Sequence, residues 1–135
     1  MRMIPCLSFN GNCEAAFKYY ERCFGGQVRM FTWGESPMAE QTPAEWRGKI
    51  MHATLEAGDA VLMGADSPPG YFAEPKGIHV TISLNDPAEA ERIFTTLAEN
   101  GQVTMPFHET FWAYRFGMLV DQFGIPWMVN CEKAD

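Results

Sequence analysis

The hydrophobic and polar positions along the chain describe the same order of elements twice. Apolar residues recur at spacings of three and four between about Asn12 and Phe24, and again between about Pro87 and Glu99. This spacing places them on one helix face, so each segment predicts an amphipathic helix that packs against a sheet. Asp86 suits the N-cap of the second helix, and the proline that follows suits its first position.

A direct repeat supports this duplication. Residues 26–28 (Gly-Gln-Val) recur at 101–103, and residues 14–15 (Glu-Ala) recur at 89–90, so both matches have an offset of 75 residues. In each copy the Glu-Ala pair opens a predicted helix, and the glycine ends it where a strand begins. Two matches at one offset, with the same elements around them, indicate two related modules.

The elements around each helix complete the predicted fold. A short alternating strand precedes each helix, and a hairpin of two strands closes each module. The sequence therefore predicts an α+β fold of two βαβββ modules, whose curved mixed sheets surround a cleft. The modules occupy about residues 1–65 and 77–135 of one domain covering 1–135, and residues 66–76 link them. Another long loop covers 34–46, and loops of this length often contribute to binding sites.

Alternation along the strands separates side chains that meet a helix from side chains that face away from it. In the first hairpin, His52 and Thr54 share one face, opposite the apolar face that contains Ala53. In the second module, His79 shares a face with Thr81, again opposite apolar residues. Because apolar sets pack against helices, both histidines are predicted to face the cleft. Each could be a structural strand histidine, contact a ligand or transfer a proton.

The turn of the second hairpin predicts its register. The strands would cover about 112–121 and 125–131, and residues 122–124 (Gln-Phe-Gly) predict a three-residue loop with the glycine in the left-handed position. This loop pairs Asp121 with Ile125, and hence Met118 with Met128 and Phe116 with Asn130. A slip of one residue would turn every side chain of the hairpin to the other face.

The predicted register produces a stripe of aromatic and thioether side chains on one strand face, namely Trp112, Tyr114, Phe116, Met118 and Met128. Such a stripe either packs in a core or dimer interface or forms one wall of an apolar ligand pocket. A register slip would replace Tyr114 by Arg115 in that pocket and favour an anionic ligand. Both structural alternatives remain open from the sequence.

Charge and targeting signals limit the predicted partners. The net charge is −7, and Lys and Arg form no cluster, which predicts that neither nucleic acid nor an anionic membrane is a partner. No apolar run reaches the roughly 18 residues that span a bilayer. The N-terminus does not have the pattern of a signal peptide, so the sequence predicts a cytoplasmic protein.

The cysteines have no spacing that indicates a zinc ribbon or a redox motif. No C-x-x-C pair occurs among the four, which are Cys6, Cys13, Cys23 and Cys131. We interpret them as reduced, partly buried thiols, in keeping with a cytoplasmic protein.

Four segments follow a pattern known from one protein family. They are residues 10–15 (Asn-Gly-Asn-Cys-Glu-Ala), 50–53 (Ile-Met-His-Ala), 109–113 (Glu-Thr-Phe-Trp-Ala) and 121–127 (Asp-Gln-Phe-Gly-Ile-Pro-Trp). They resemble the PhnB-like branch of the vicinal oxygen chelate superfamily, and the resemblance covers essentially the whole chain. It implies paired βαβββ modules and a homodimer. The superfamily includes glyoxalase I, fosfomycin-resistance transferases, extradiol dioxygenases and bleomycin-binding proteins, so it does not imply one activity.

Metal-dependent members of that superfamily carry His or Glu ligands on the first and last strands of each module. The resemblance places those positions at Ile4 or Pro5, Leu62 or Met63, His79, and Met128. Only His79 is a common ligand of divalent ions, and a catalytic ion typically needs about three protein ligands. We therefore expect no tightly bound metal and no other cofactor. His52 and Glu56 could supply further donors to a weakly bound ion.

Three functions remain open from the sequence. The first is binding of a small, partly apolar molecule in the cleft, without a tightly bound metal, by His52, His79, Trp112, Tyr114, Phe116 and Met128. The second is a lyase, isomerase or transferase that uses His79 and His52 for proton transfer or weak divalent metal binding. The third is a protein-interaction module with a vestigial cleft. Some relatives are named 3-demethylubiquinone methyltransferases, but this chain has no glycine-rich strand-to-helix loop of the kind that holds a nucleotide-like cofactor.

Overall fold

The repeated elements of the sequence are present in a computed structural model of the chain, which describes residues 1–133. The chain divides into two units, Met1–Ala73 and Glu74–Asp135. The first unit contains β1 Cys6–Phe9, α1 Cys13–Phe24, β2 Gln27–Thr32, β3 Ile50–Ala57 and β4 Ala60–Asp66. The second unit contains β5 Val80–Leu84, α2 Pro87–Ala98, β6 Gln102–His108, β7 Arg115–Val120 and β8 Pro126–Cys131. No helix within the described residues is long and apolar enough to cross a membrane.

Each unit is a four-stranded mixed sheet that carries one long helix. The strand order is β1-β4-β3-β2 in the first unit and β5-β8-β7-β6 in the second. In both units the first strand runs parallel to its neighbour, whereas the other neighbouring strands are antiparallel. Because order and direction agree between the units, the predicted α+β fold of two βαβββ modules is confirmed.

The helices of the two units correspond at an offset of 74 residues rather than 75. This offset aligns four buried positions of α1 with four of α2, namely Ala16, Tyr19, Tyr20 and Cys23 with Ala90, Ile93, Phe94 and Leu97. Ala15, which the sequence repeat aligns with buried Ala90, is exposed. The two Glu-Ala pairs are therefore not equivalent positions. The physical reason is that the turn before α2 is one residue shorter than the turn before α1.

Each helix packs a phenylalanine ring onto a glycine of its sheet. A Cβ atom on Gly64 of β4 would overlap the ring of Phe17, and a Cβ atom on Gly117 of β7 would overlap the ring of Phe94. A larger residue at either glycine would push the helix away from the sheet or force the ring out of its rotamer. These contacts also identify which face of each sheet carries the helix.

A buried carboxylate fixes the start of α1. Asp66, at the end of β4, accepts hydrogen bonds from the backbone N–H groups of Gly11 at 2.9 Å, Cys13 at 3.0 Å and Ile50 at 2.8 Å. The side chain of Asn12, at the N-cap position, makes no capping hydrogen bond. Negative charge is favourable at a helix N-terminus, so Asp66 supplies from a distant strand the cap that the local sequence lacks.

The second hairpin has the register that the sequence predicts. Gly124 ends the turn with a φ of 87°, and the backbone N–H of Asp121 donates to the carbonyl of Ile125 at 2.9 Å. Met118 pairs with Met128 across β7 and β8. The left-handed glycine therefore determines which side chains share a face of this hairpin.

The carboxylate of Asp121 holds the same turn from inside the unit. It is buried and accepts the backbone N–H groups of Phe123 at 2.8 Å and Ile125 at 3.0 Å. It also accepts the indole N–H of Trp127 at 2.8 Å. The turn is thus tied to the core of the second unit through a fully buried tryptophan.

The strand before this turn is shorter than predicted. The sequence suggests a strand from Trp112, but β7 begins at Arg115. The hydroxyl of Thr110 accepts the backbone N–H of Ala113 at 3.1 Å, and this turn takes residues 111–114 out of the sheet. The local Thr hydrogen bond competes with strand pairing in a segment whose aromatic residues favour a strand.

Candidate functional site

One face of the second sheet carries a row of three methionines. Gly117 contacts α2, so its neighbour Met118 points to the opposite, open face of the sheet. The register aligns Met118 with Met105 of β6 and with Met128 of β8, and all three are half-buried. We name these three residues the thioether row. Methionine side chains are flexible and polarizable, so such a row can adapt to different apolar shapes.

Three aromatic rings stand beside the thioether row. Phe116 lies two residues from Met118 and on the same face, and its ring centroid is 5.4 Å from that of Trp112. The ring of Phe111 meets Trp112 edge-on at 4.9 Å. Phe111 is 88% exposed and Trp112 is 52% exposed. We name Phe111, Trp112 and Phe116 the aromatic cluster, and exposed apolar clusters of this kind are typical of binding surfaces.

The structure places Tyr114 at the edge of this surface. Its backbone N–H donates to the carbonyl of Cys131 at 2.9 Å, so the residue continues the pairing of β7 with β8 by one hydrogen bond. The guanidinium carbon of Arg115 lies 5.6 Å from the centroid of the Tyr114 ring. The predicted register is confirmed by the pairing of Phe116 with Asn130. The expectation that Tyr114 contacts a ligand stays a prediction.

The side-chain oxygen of Asn130, beside the aromatic cluster, is a hydrogen-bond acceptor that receives no donor from residues 1–133. The Nδ2 atom of Asn130 donates to the hydroxyl of Ser83 at 3.0 Å, and that hydroxyl donates to the carboxylate of Glu132 at 3.0 Å. This chain of bonds fixes the orientation of the amide. The Oδ1 atom of Asn130 is buried and accepts no hydrogen bond from residues 1–133. Because Asn130 pairs with Phe116, its free acceptor belongs to the same open face.

Sequence reasoning considered Asn130 only as the pairing partner of Phe116. Its role could have been recognised from its place directly after the apolar residues 127–129, because an amide in a buried strand needs partners for both of its polar atoms. Met105 was missed for another reason. A register shift separates Val103 from Met105 along β6, and the irregularity hides the alignment of Met105 with Met118.

His79 is predicted to lie on the open face of the second unit. It directly precedes β5 and is half-buried. Alternation places it on the same side as Thr81, which pairs with Met128 of the thioether row. Three of the predicted contact residues, Trp112, Phe116 and Met128, are associated with this face of the second sheet, and the place of His79 on it stays a prediction.

His52 belongs to the first unit. Its Nε2 atom lies 3.0 Å from the hydroxyl oxygen of Thr54, and its ring centroid is 5.9 Å from that of Phe31. These three residues share the face of the first sheet that lies opposite α1. The expectation that His52 contributes to one pocket together with the residues of the second unit stays a prediction.

The donors at the family's metal positions do not fit a hard divalent cation. Met128 pairs with Thr81 and Met118, so its strand partners offer one hydroxyl and one thioether, and among the family's metal positions His79 alone is a common ligand of divalent ions. In the first unit Met63 pairs with Cys6 and Thr54. Thioether sulfur is a poor ligand for Mg²⁺ or Mn²⁺. Within residues 1–133, no three His, Cys, Asp or Glu side chains come together in a group that could hold a metal ion.

The turns that lead from the first strand of each unit into its helix do not fit a nucleotide-like cofactor. Such cofactors bind through their phosphates to free backbone N–H groups at a helix N-terminus. In the first unit Asp66 accepts two of these N–H groups. In the second unit Asp86 accepts those of Ala88 and Glu89, at 3.1 and 3.4 Å. Protein carboxylates already occupy the positions that an anionic group would need.

The thiols are not activated as nucleophiles. Burial raises the pKa of Cys13, and the nearby carboxylate of Asp66 raises it further. Burial also raises the pKa of Cys6 and of Cys131. A nucleophilic cysteine needs a lowered pKa, which gives it thiolate character near neutral pH. These thiols therefore support no covalent mechanism.

Comparisons with known proteins agree on one family. The sequence profile of the family described as 3-demethylubiquinone-9 3-methyltransferase matches residues 1–130. Protein YjdN of Escherichia coli (strain K12) is 35% identical over 142 residues, which cover 98% of this chain and 97% of YjdN. The crystal structure of protein PA1353 from Pseudomonas aeruginosa is 46% identical, has a TM-score of 0.91 and covers 99% of each chain. The PhnB protein from Bacillus cereus shares the fold at 22% identity, with a TM-score of 0.78 over 97% of this chain and 99% of that chain.

Two units of this topology define a protein with the glyoxalase and bleomycin-resistance fold. More narrowly, the chain belongs to the family described as 3-demethylubiquinone-9 3-methyltransferase, and it shares its fold with the PhnB protein from Bacillus cereus and with a glyoxalase and bleomycin-resistance domain. The family resemblance found in the sequence is thereby confirmed. Membership of the family does not define an activity, which has to be inferred from the site itself.

Proposed function

We propose that the protein binds a small, partly apolar molecule on the open face of its second sheet, without a tightly bound metal. The observation that carries this proposal is the thioether row on one face of the second sheet, with Phe116 on the same face and the ring of Trp112 packed against Phe116. Methionine sulfur packs favourably against aromatic rings, and aromatic side chains provide a large contact area with little loss of conformational entropy. A planar, apolar ring system matches this surface.

The free acceptor of Asn130 gives the ligand a polar requirement. Its Oδ1 atom is buried beside Phe116 and lacks a donor among residues 1–133. A ligand hydroxyl or N–H group could donate to it while the ring packs on Met118 and Met128. A neutral hydrogen bond contributes about 1 kcal/mol, which corresponds to roughly a fivefold change in affinity. The proposed ligand therefore combines one or two fused rings with a hydrogen-bond donor.

The test compares 2-naphthol with 2-methoxynaphthalene, which keeps the ring system and the oxygen but has a methyl group in place of the donating hydrogen. Binding is followed through the methyl signals of ¹³C-labelled methionines. We expect 2-naphthol to shift the signals of Met118 and Met128 and to bind about fivefold more tightly than the methyl ether. Met1 and Met3, which are exposed in the first unit, serve as internal controls and should not move.

Two variants make this test decisive. Asn130→Leu should remove the preference for 2-naphthol, because neither probe then finds the acceptor. Trp112→Ala should weaken both probes by a similar factor, because it removes a ring of the aromatic cluster. Shifts confined to methionines of the first unit, or equal affinities of both probes for the unchanged protein, would contradict the proposal.

A second candidate function is an enzyme that uses a histidine for proton transfer. One observation favours it, which is that His79 is half-buried and directly precedes β5. A lyase, isomerase or transferase of this kind would use His79 and His52 together, with or without a weak divalent ion. Titration with Mn²⁺ tests the metal-dependent form, because a shared ion would broaden the imidazole signals of both histidines at the same concentration. Broadening of neither histidine would exclude this form.

The methyltransferase named in the family description does not form part of this proposal. Methyl transfer from a nucleotide-like donor would need a site for that donor. Asp66 and Asp86 already accept backbone N–H groups at the two helix N-termini, so a phosphate-bearing donor would find these groups engaged.

We further propose that the protein is a cytoplasmic homodimer. Large exposed apolar side chains in each unit, such as Phe31 at 43% and Ile78 at 73%, support a self-association surface. The free state of all four cysteines agrees with a reducing compartment. Sedimentation equilibrium at micromolar concentration should show a dimer, and fractionation should recover the protein with soluble cytoplasmic markers. A purely monomeric species would contradict the proposed dimer. Recovery in a periplasmic fraction would contradict the proposed location.

A further inference from the structure

A separate pocket of about 150 Å³ lies in the first unit, on the segment that connects β2 to β3. Its walls are almost entirely apolar and come mainly from two indoles, one thioether and three proline rings, namely Trp33, Met38, Pro43, Trp46, Pro68 and Pro69. An apolar cavity of about this volume is known to accept one benzene molecule. The volume and the lining therefore fit one six-membered ring.

Two buried donors that belong to lining residues indicate what else the ring must carry. The indole N–H groups of Trp33 and Trp46 are both buried, and neither has an acceptor among residues 1–133. The tryptophan of β8 shows the usual arrangement, because the N–H of Trp127 donates to Asp121 at 2.8 Å. Burying an indole N–H without an acceptor is destabilising. An oxygen atom on a bound ring would satisfy one or both of these donors.

The walls of this pocket are held in place by hydrogen bonds within their own segment. The hydroxyl of Ser36 donates to the carbonyl of Trp33 at 2.6 Å, and the hydroxyl of Thr42 donates to the carbonyl of Met38 at 2.7 Å. The guanidinium Nε of Arg47 donates to the carbonyl of Thr42 at 3.0 Å. Both hydroxyl residues are buried. A pocket organised in this way loses little conformational entropy when a ligand enters.

The charges around the pocket favour a neutral ligand oxygen over an anionic one. Residues 33–49 contain three glutamates and two cationic residues, and the whole chain has a net charge of −7. One of the two cations, Arg47, already donates to a carbonyl of the segment. An anionic ligand would meet an unfavourable field at this surface.

We propose that this pocket is a binding site for a single neutral six-membered ring that carries a hydrogen-bond-accepting oxygen, received by the indole N–H groups of Trp33 and Trp46. The site lies in the first unit, whereas the thioether row and the aromatic cluster lie in the second. The proposal therefore does not depend on the function proposed above. The two sites also differ in polarity, because this pocket offers donors whereas Asn130 offers an acceptor.

The test follows all four indole N–H signals by ¹H–¹⁵N NMR during titration with acetophenone. Its matched probe is α-methylstyrene, which has the same shape but no acceptor. We expect acetophenone to move the signals of Trp33 and Trp46 downfield and to bind about fivefold more tightly than α-methylstyrene. The signal of Trp127 should not move, because its N–H is engaged by Asp121.

Two variants define the outcome further. Trp46→Phe keeps an aromatic wall but removes one donor, so it should weaken acetophenone about fivefold and leave α-methylstyrene unchanged. Met38→Trp, at a partly exposed wall position, should fill the pocket and abolish binding of both probes. If the protein with Trp46→Phe does not fold, Met38→Trp still tests the site.

Two results would overturn the proposal. The first is that the signals of Trp33 and Trp46 do not move, or move equally with both probes. The second is that only the signal of Trp112 moves, which would place acetophenone at the aromatic cluster and leave the function proposed above intact.

Discussion

Replacement of Asp66 tests how the first unit is held together. Asp66→Asn exchanges a buried acceptor of three hydrogen bonds for an amide of the same shape with only one acceptor atom. The Oδ1 atom of Asp66 accepts the N–H groups of Gly11 and Cys13, and its Oδ2 atom accepts that of Ile50. In either orientation of the new amide, its NH₂ group faces at least one backbone N–H donor.

The least costly orientation keeps the oxygen on Gly11 and Cys13 and leaves the N–H of Ile50 without an acceptor. An unsatisfied buried donor costs about 1–3 kcal/mol, and each retained bond weakens by about 1 kcal/mol when its acceptor loses the charge. The free energy of unfolding should therefore fall by about 3–5 kcal/mol. This is a large part of the roughly 5–15 kcal/mol that stabilises a typical domain. With a urea m-value of about 1–3 kcal/mol/M, the midpoint should fall by at least about 1 M.

The assay is urea unfolding at neutral pH, followed by circular dichroism at one fixed protein concentration. The concentration is fixed because self-association would contribute to the measured stability. Asp59→Asn is the matched control, since it makes the same chemical change at an exposed turn position. It removes the same charge but should change the free energy of unfolding by less than about 0.5 kcal/mol.

The reasoning is refuted if Asp66→Asn loses less than about 1 kcal/mol relative to Asp59→Asn. Hydrogen exchange provides a second readout. The amides of Cys13 and Ile50 should exchange faster in Asp66→Asn, because local opening becomes easier where their acceptor was.

Three other predictions concern packing, thiol reactivity and pH. Gly64→Ala should destabilise the first unit by about 1–3 kcal/mol in urea unfolding, because the new Cβ overlaps a ring of α1. Gly48→Ala, where no atom lies within 4 Å of the new Cβ, should have little effect, and equal effects of the two changes would contradict the packing argument. Exposed Cys6 should be the single thiol that reacts with dithiobis-nitrobenzoate in the native protein, whereas all four should react in urea. Its reaction should be slow, because partial desolvation by the surrounding residues raises the pKa of the thiol even though the residue is exposed. Two or more reactive native thiols would be inconsistent with the burial of the others. Hydrogen bonds from Thr32 lower the pKa of Glu35, so the interaction of these two residues should contribute stability above the ordinary pKa of glutamate and lose it as the pH falls through the lowered value. An NMR titration of the Glu35 carboxyl that gives an ordinary or raised pKa would contradict this.

Local signals predicted much of the fold. Gly124 defined the register of the second hairpin, because only one common three-residue turn places glycine last in the left-handed conformation. Asp86 marked the start of α2 through its own side chain, which accepts the N–H of Ala88 at 3.1 Å. Each of these signals lies within a few residues of the element that it determines.

Features that depend on distant residues were not predictable in the same way. Asp66 caps α1 from 53 residues away along the chain, and no local pattern announces that contact. Trp33 and Trp46 lie in a segment without helical or strand periodicity, so only the folded structure shows them to line one pocket. For Trp112 and Tyr114, strand propensity was outweighed by the turn that Thr110 makes with Ala113.

The phenylalanine–glycine contacts under the two helices have a consequence for building chimeric proteins. In the first sheet Leu7 of β1 pairs with Gly64 of β4. In the second sheet the equivalent pair is Ile82 of β5 with Val129 of β8, so Val129 takes the place of Gly64. If α1 were transplanted into the second unit, Phe17 would meet a valine where its own sheet provides a glycine. Hybrids that exchange whole modules should keep both cores intact, whereas hybrids that exchange only the helices should not. The smallest interchangeable part of this protein is therefore a helix together with its sheet.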